Sequence, residues 1–158
     1  MATIKSYTDI EQSKKLAEIL PIESADMHYE YDYNLGEYIN IPSVTEEEDH
    51  FVLFLDDVPC WSLAALLNVL PPKYYPVKDH ETNLILGIPK DKWCVLYWDT
   101  TGMQDGEDTL GDNPIDACYE MILKLHELEH KEHVKKIKNV PLCTQTDSTT
   151  FVLKNQII

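Results

Sequence analysis

Asn83-Leu84-Ile85-Leu86-Gly87-Ile88-Pro89-Lys90-Asp91-Lys92-Trp93-Cys94-Val95-Leu96-Tyr97-Trp98 decides the fold class. Two apolar runs rich in strand formers flank a short polar break that holds Pro and Asp, which is the pattern of a β-hairpin. Upstream, Met27, Tyr29, Tyr31 and Tyr33 alternate with His28, Glu30 and Asp32. That two-residue repeat of a half-buried strand is the cleanest strand signal in the chain.

Between and around these runs the period changes to that of helices. Thr8-Asp9-Ile10-Glu11 reads as a capping box opening a helix over 9–20, with Pro21 as its stop. Pro59 suits the first turn of a second helix over 59–70, through Trp61, Leu63, Leu66, Leu67 and Leu70, which Pro71-Pro72 closes. Asn113 as cap and Pro114 at the first helical position open a third over 114–130. The pairs Glu120/Lys124 and Glu127/Lys131 are spaced to carry it towards Lys138. The rest reads as connection: a loop over 34–50, a short apolar run at 51–55 that is a strand or a buried segment, and an acidic glycine-containing loop over 100–111. Residues 142–158 form a last strand or a flexible tail. The expectation is one α+β domain over 1–158, with a small antiparallel sheet packed against about three helices. That sheet is expected to include 27–33, 83–88 and 93–98.

Composition bounds the function. The chain has 158 residues, 44% of them apolar, enough for one core. It has no apolar start resembling a secretory signal and no run approaching the ~20 apolar residues of a membrane span. Cys60, Cys94, Cys118 and Cys143 are widely spaced among apolar neighbours, which suits reduced core thiols and a cytoplasmic protein. A disulfide pairing remains the alternative. The net charge is −15, and all 13 cations are Lys, with no Arg. Without the planar donor fork of Arg, and with a field that repels phosphate, direct binding to nucleic acid or to an anionic membrane is disfavoured. Residues 1–72 hold 14 acids and 3 Lys, whereas residues 113–158 balance at 6 and 6. The acidic half is either a solubilising surface or one that docks a basic partner.

One string has the spacing of a catalytic metal site: His126-Glu127-Leu128-Glu129-His130. Histidines four apart share a helix face and can reach one zinc, with Glu127 as general base. At about 100° per residue His126, His130 and His133 fall within about 60° of one another. With His126 at zero, the apolar arc of Ile122, Cys118, Leu125, Met121 and Leu128 runs from about −40° to −160°, and Glu129 lies inside it at about −60°. A packed helix would bury that carboxylate without a partner. We therefore expect the core contact to end near Leu128, with His130 and His133 in a solvated helix tail and no metal held. Other signals are weaker. Asp99, Asp105, Glu107, Asp108 and Asp112 have the oxygen chemistry for calcium, but in the wrong order for a calcium loop. The tyrosines at 29, 31 and 33 suit either a partner surface or packing of a sheet on a helix. Cys118 has no basic neighbour to activate it.

Three blocks carry a resemblance: Ser6-Tyr7-Thr8-Asp9-Ile10-Glu11-Gln12-Ser13-Lys14-Lys15-Leu16-Ala17, Pro59-Cys60-Trp61-Ser62-Leu63-Ala64-Ala65-Leu66-Leu67 and Ile115-Asp116-Ala117-Cys118-Tyr119-Glu120-Met121-Ile122. They resemble a group of small uncharacterised proteins of gut anaerobes and their phages. The likeness implies an intracellular, phage-related setting and supplies no catalytic residue. His130 and His133 lie outside its pattern. The expectation is thus a non-catalytic acidic interaction or accessory protein with no cofactor, whose partner is another protein, a basic one where the acidic half does the docking. The alternatives are a zinc-dependent hydrolase using His126, Glu127 and His130, and an acidic decoy of nucleic acid.

Overall fold

A computed structural model describes residues 5–45, 56–77, 80–88, 91–99 and 105–138. Over these the chain runs α1 (Ile10–Ala17), a single tight turn at Ile22–Ser24, β1 (Met27–Tyr29), β2 (Tyr31–Asp32), β3 (Glu37–Tyr38), β4 (Ser43–Val44) and β5 (Val58–Cys60). It continues through α2 (Leu63–Val69), β6 (Lys73–Val77), β7 (His80–Gly87), β8 (Trp93–Asp99), β9 (Asp105–Gly111) and α3 (Pro114–Lys138). The fold class is α+β. Every strand pairing is antiparallel, and the strands fall into three sheets, ordered β4-β1-β5, β2-β3 and β6-β7-β8-β9. No helix among the described residues is long and apolar enough to cross a membrane.

The expected hairpin is present as β7 and β8, in register from Thr82↔Asp99 to Gly87↔Cys94. Alternation sends Leu84, Leu86, Trp93, Val95 and Tyr97 into the main core. There they meet one stripe of α3 (Ile115, Cys118, Met121, Ile122 and Leu125) and the buried residues of α2. Each such side chain, fully buried, stabilises the fold by about 2 kcal/mol. The start of α3 is also as expected: the Asn113 side-chain oxygen accepts from the Asp116 amide at 2.9 Å, and Pro114 follows the cap.

Several boundaries differ, each for a physical reason. The 27–33 stretch is two strands in two sheets, not one. Its pairing breaks at Glu30, the Tyr31 amide donates to the Asp57 carboxylate at 3.3 Å, and Tyr33 lies in a turn. The capping box sits one residue later than read, at Asp9 and Gln12, because the Thr8 hydroxyl is committed to Ser13 and to the Trp61 amide. Helix α1 ends at Ala17, where the Glu18 amide bonds to Lys15 and the last turn tightens. The second helix starts at Leu63, capped by Ser62. Pro59 belongs instead to β5, an edge strand, where a sheet tolerates proline. Residues 105–111, read as loop, form β9. Their Asp and Gly content is poor for a strand, but β8 offers a free edge and α3 covers the inner side. The expected Glu120/Lys124 pair is replaced by Lys124–Glu107 at 2.7 Å, which ties α3 to β9, whereas Glu127–Lys131 forms at 3.4 Å. Strand β6 carried no signal that we read. The apolar run at 51–55, the end of the expected 34–50 loop with its acids Glu46, Glu47, Glu48 and Asp49, Cys143 and residues 142–158 lie outside the described residues.

The starts of α1 and α3 are joined by charge. The Lys5 ammonium reaches Asp116 at 2.9 Å and Asp9 at 2.8 Å, and Gln12 donates to Asp116 at 2.9 Å. Burial acts to raise both carboxyls, but it is outweighed: hydrogen bonds from Gln12 and Lys5 hold Asp116 and Asp9 below the ordinary carboxylate range. A carboxylate depressed in the folded state contributes stability above its unfolded pKa and loses it as pH falls through the folded one. The melting temperature is therefore expected to drop as pH falls below about 4, and less steeply in Asp116→Asn, which lacks the charge from the outset. Identical acid profiles for the two proteins would remove this ion cluster from the account.

Candidate functional site

The histidine helix was the sharpest sequence signal, and the structure places it plainly. Leu125 is buried, Leu128 is half-buried, and His126, Glu127, Glu129 and His130 are exposed. The core contact thus ends where expected, and Glu129 escapes burial because the helix outruns the sheet and helices packed on it. Glu127, the would-be base, pairs with Lys131. The His133 side chain lies outside what is described. Among the described residues no group of three His, Cys, Asp or Glu side chains is placed to hold a metal ion. His126 and Glu129 do reach the lip of an apolar groove of about 200 Å³, walled by Ile19, Leu20, Val69, Pro71 and Tyr74. That volume is below the roughly 300 Å³ at which small-molecule sites begin.

The calcium reading fails on the strand. Glu107 and Asp108 are neighbours in β9 and so point to opposite faces, Glu107 to Lys124 and Asp108 to solvent. Asp112 is engaged by Lys92 at 3.3 Å.

Cys60, Cys94 and Cys118 are free and buried. Cys60 sits in a polar knot: the Thr8 hydroxyl contacts Ser13 Oγ at 2.7 Å and accepts from the Trp61 amide at 3.1 Å, while the Tyr29 hydroxyl donates to the Thr8 carbonyl at 2.8 Å. Burial pushes the Cys60 and Cys94 thiols up, and the Cys118 thiol up to about 12. Burial and a raised pKa both act against nucleophilic reactivity. In the native protein the three thiols are expected to resist a thiol-specific reagent over hours and to react within minutes once unfolded. Fast native labelling at any of the three positions would contradict their burial.

The most distinctive surface joins the end of the tyrosine stripe, read as strand, to residues 34–44, read as loop. Strands β2 and β3 form a hairpin closed by a turn at 33–36, in which the Asp32 carboxylate accepts from the Asn34 and Leu35 amides. Gly36 takes φ +72°, a conformation that favours glycine. Tyr31 is stacked edge-to-face between Tyr33 and Tyr38, with ring centroids 5.2 Å away in each case. Tyr33 donates to the Asp56 carboxylate at 2.6 Å, and this bond pushes its phenol up. The Lys14 ammonium lies 5.0 Å from the Tyr38 ring centroid, a cation already resting on this aromatic cluster. Around and after the hairpin, Tyr33, Leu35, Ile39, Ile41 and Val44 are between 44% and 72% exposed.

So the tyrosine stripe divides. Tyr29 packs, Tyr31 is half-buried, and Tyr33 faces solvent. Leu35, Ile39, Ile41 and Val44 were missed because they follow no regular period. The available signal was compositional: four large apolar residues recurring in a short segment, 35–44, that was read as a loop. The chain matches no family model, no curated protein and no solved structure.

Proposed function

We propose that the protein is a non-catalytic acidic interaction protein that docks a basic partner protein on the β2–β3 hairpin and the segment running on to Val44. One observation carries this reading. Five large apolar side chains stand exposed there, within a stretch, residues 16–72, that contains 12 acids and no Lys or Arg, with the Lys14 ammonium on the Tyr38 ring at its edge. Large exposed apolar side chains close together in the sequence mark a candidate interaction site, and so acidic a stretch of chain selects a cationic partner. A decoy of nucleic acid needs carboxylates alone; the apolar component favours a protein segment carrying both apolar and Lys or Arg side chains. A cytoplasmic setting fits the reduced thiols.

The test uses an immobilised amphipathic helical peptide of Leu and Lys as the probe. Capture of the full chain is expected to weaken as salt rises, because the charges are exposed. The variant Leu35→Ser/Ile41→Ser, which leaves the net charge unchanged, should bind about tenfold more weakly, equivalent to about 1.4 kcal/mol. If that variant binds as well as the parent, attraction is charge alone and the hairpin is not the docking surface.

A further inference from the structure

Helices α1 and α2 both stop short beside α3, and a groove of about 200 Å³ is left where they end. It is lined by Ile19 and Leu20 after α1, Val69 at the end of α2, Tyr74 on β6, and Ile122 and Leu125 on α3. Ile19, Leu20, Val69 and Tyr74 are only half-buried, so apolar surface is left uncovered here. The space is too small for a ligand of ordinary size, but it suits apolar side chains presented by a backbone passing over it. On α3, Ile122, Leu125, His126 and Glu129 fall at i, i+3, i+4 and i+7, one face leading towards the C-terminal end of the helix. Glu129 stands exposed at the lip and pairs with no cation among the described residues, and no Lys lines the groove.

We propose that Phe151-Val152-Leu153-Lys154 of the same chain occupies this groove, the apolar residues within it and the Lys154 ammonium beside Glu129. Reach selects this segment. Helix α3 ends at Lys138, and the helix rise from Ile122 to that point is about 24 Å. Residues 139–150 follow, and extended they span up to about 40 Å, enough to lead the chain back along α3 to the groove. Val140 and Leu142 lie too close to the helix end: four residues past Lys138 the chain has covered at most about 14 Å. Charge selects the same segment. Lys154 is the only cation in residues 139–158 and directly follows the apolar triplet, while the groove offers an unpaired carboxylate at its lip. The covalent tether adds to both, because a short linker holds its end at a local concentration on the order of millimolar. A weak contact of a few side chains is then populated within one molecule, where the same peptide free in solution would barely bind. This site is separate from the hairpin surface, and neither reading depends on the other.

The experiment is paramagnetic relaxation NMR on the full chain, with a nitroxide attached at Asn155→Cys in a Cys143→Ser background; Cys60, Cys94 and Cys118 are buried. The methyl signals of Ile19, Leu20, Val69 and Leu125 are expected to broaden, while that of Ile85, exposed on β7, stays sharp. Phe151→Ser/Leu153→Ser should remove the broadening. Lys154→Glu should lower the docking equilibrium about two- to fivefold, the range of an exposed ion pair, and adding Glu129→Lys should restore it. Isotope-labelled parent chain mixed with unlabelled nitroxide-bearing chain should show no broadening, since the contact forms within one molecule. Melting curves check that each variant folds. Sharp groove methyls in the nitroxide-bearing parent overturn the proposal, and so does broadening that survives Phe151→Ser/Leu153→Ser. Broadening in the mixed sample would give the groove to the tail of a second copy and overturns docking within the chain. A double charge reversal that docks no better than Lys154→Glu alone overturns the pairing with Glu129.

Discussion

Trp61→Ala is expected to lower the unfolding free energy by about 4 kcal/mol, the largest effect of any single substitution considered. Trp61 is fully buried and belongs to the main core, together with Leu16, Leu66 and Ile115. Its indole N–H donates to Ser24 Oγ at 3.0 Å, and its backbone is bonded to Thr8 in both directions. It directly follows β5, whose Val58 and Cys60 form a second cluster with Tyr29 beneath the hairpin region. Truncation leaves a cavity and loosens the junction between the two clusters. Chemical denaturation of the parent and variant measures the loss. A shift within about 0.5 kcal/mol, the range of surface substitutions, would show that the junction carries no such load.

Gly111→Ala is expected to destabilise by about 3 kcal/mol, because the new methyl group meets backbone that has no rotamer by which to yield. A Cβ built at Gly111 lies 2.4 Å from the Ala117 amide nitrogen and 2.9 Å from the Asn113 carbonyl oxygen. The strand end at Gly111 and the first turn of α3 are therefore in direct backbone contact. Gly87 supplies the control: a Cβ there meets nothing within 4 Å. Gly87→Ala should stay within about 0.5 kcal/mol of the parent in the same denaturation experiment. Equal midpoints for the two variants would contradict the close approach at Gly111.

The candidate sites show the limit of reading by motif. His126 and His130 have the spacing of zinc ligands because a four-residue interval on any helix puts two side chains on one face. Whether that face meets a cleft depends on where the sheet beneath α3 ends, and no local pattern encodes that. The angular position of Glu129 did indicate that packing stops near Leu128, and the exposure of both side chains agrees. The hairpin surface was hidden for the opposite reason. Leu35, Ile39 and Ile41 look like ordinary apolar residues in a loop, and only the folded arrangement shows that they stand exposed among the described residues.

What the residues determined on their own was local and strongly periodic. The cap at Asn113 with Pro114, the apolar stripe from Ile115 to Leu125 and the two apolar runs of the β7–β8 hairpin each specify their element through nearby backbone and side-chain chemistry. Together they made the α+β class legible. Tertiary structure decided the rest. It put Pro59 on a sheet edge and parted Tyr29 from Tyr31 by giving the next amide to Asp57. It also drew the Asp- and Gly-bearing segment 105–111 into a strand against β8. For Pro59 and Tyr31 the deciding contact comes from residues far along the chain, and for 105–111 from the edge of the preceding strand. A strand's free edge or a distant carboxylate offers more stabilisation than local propensity, worth at most about 1 kcal/mol, can oppose.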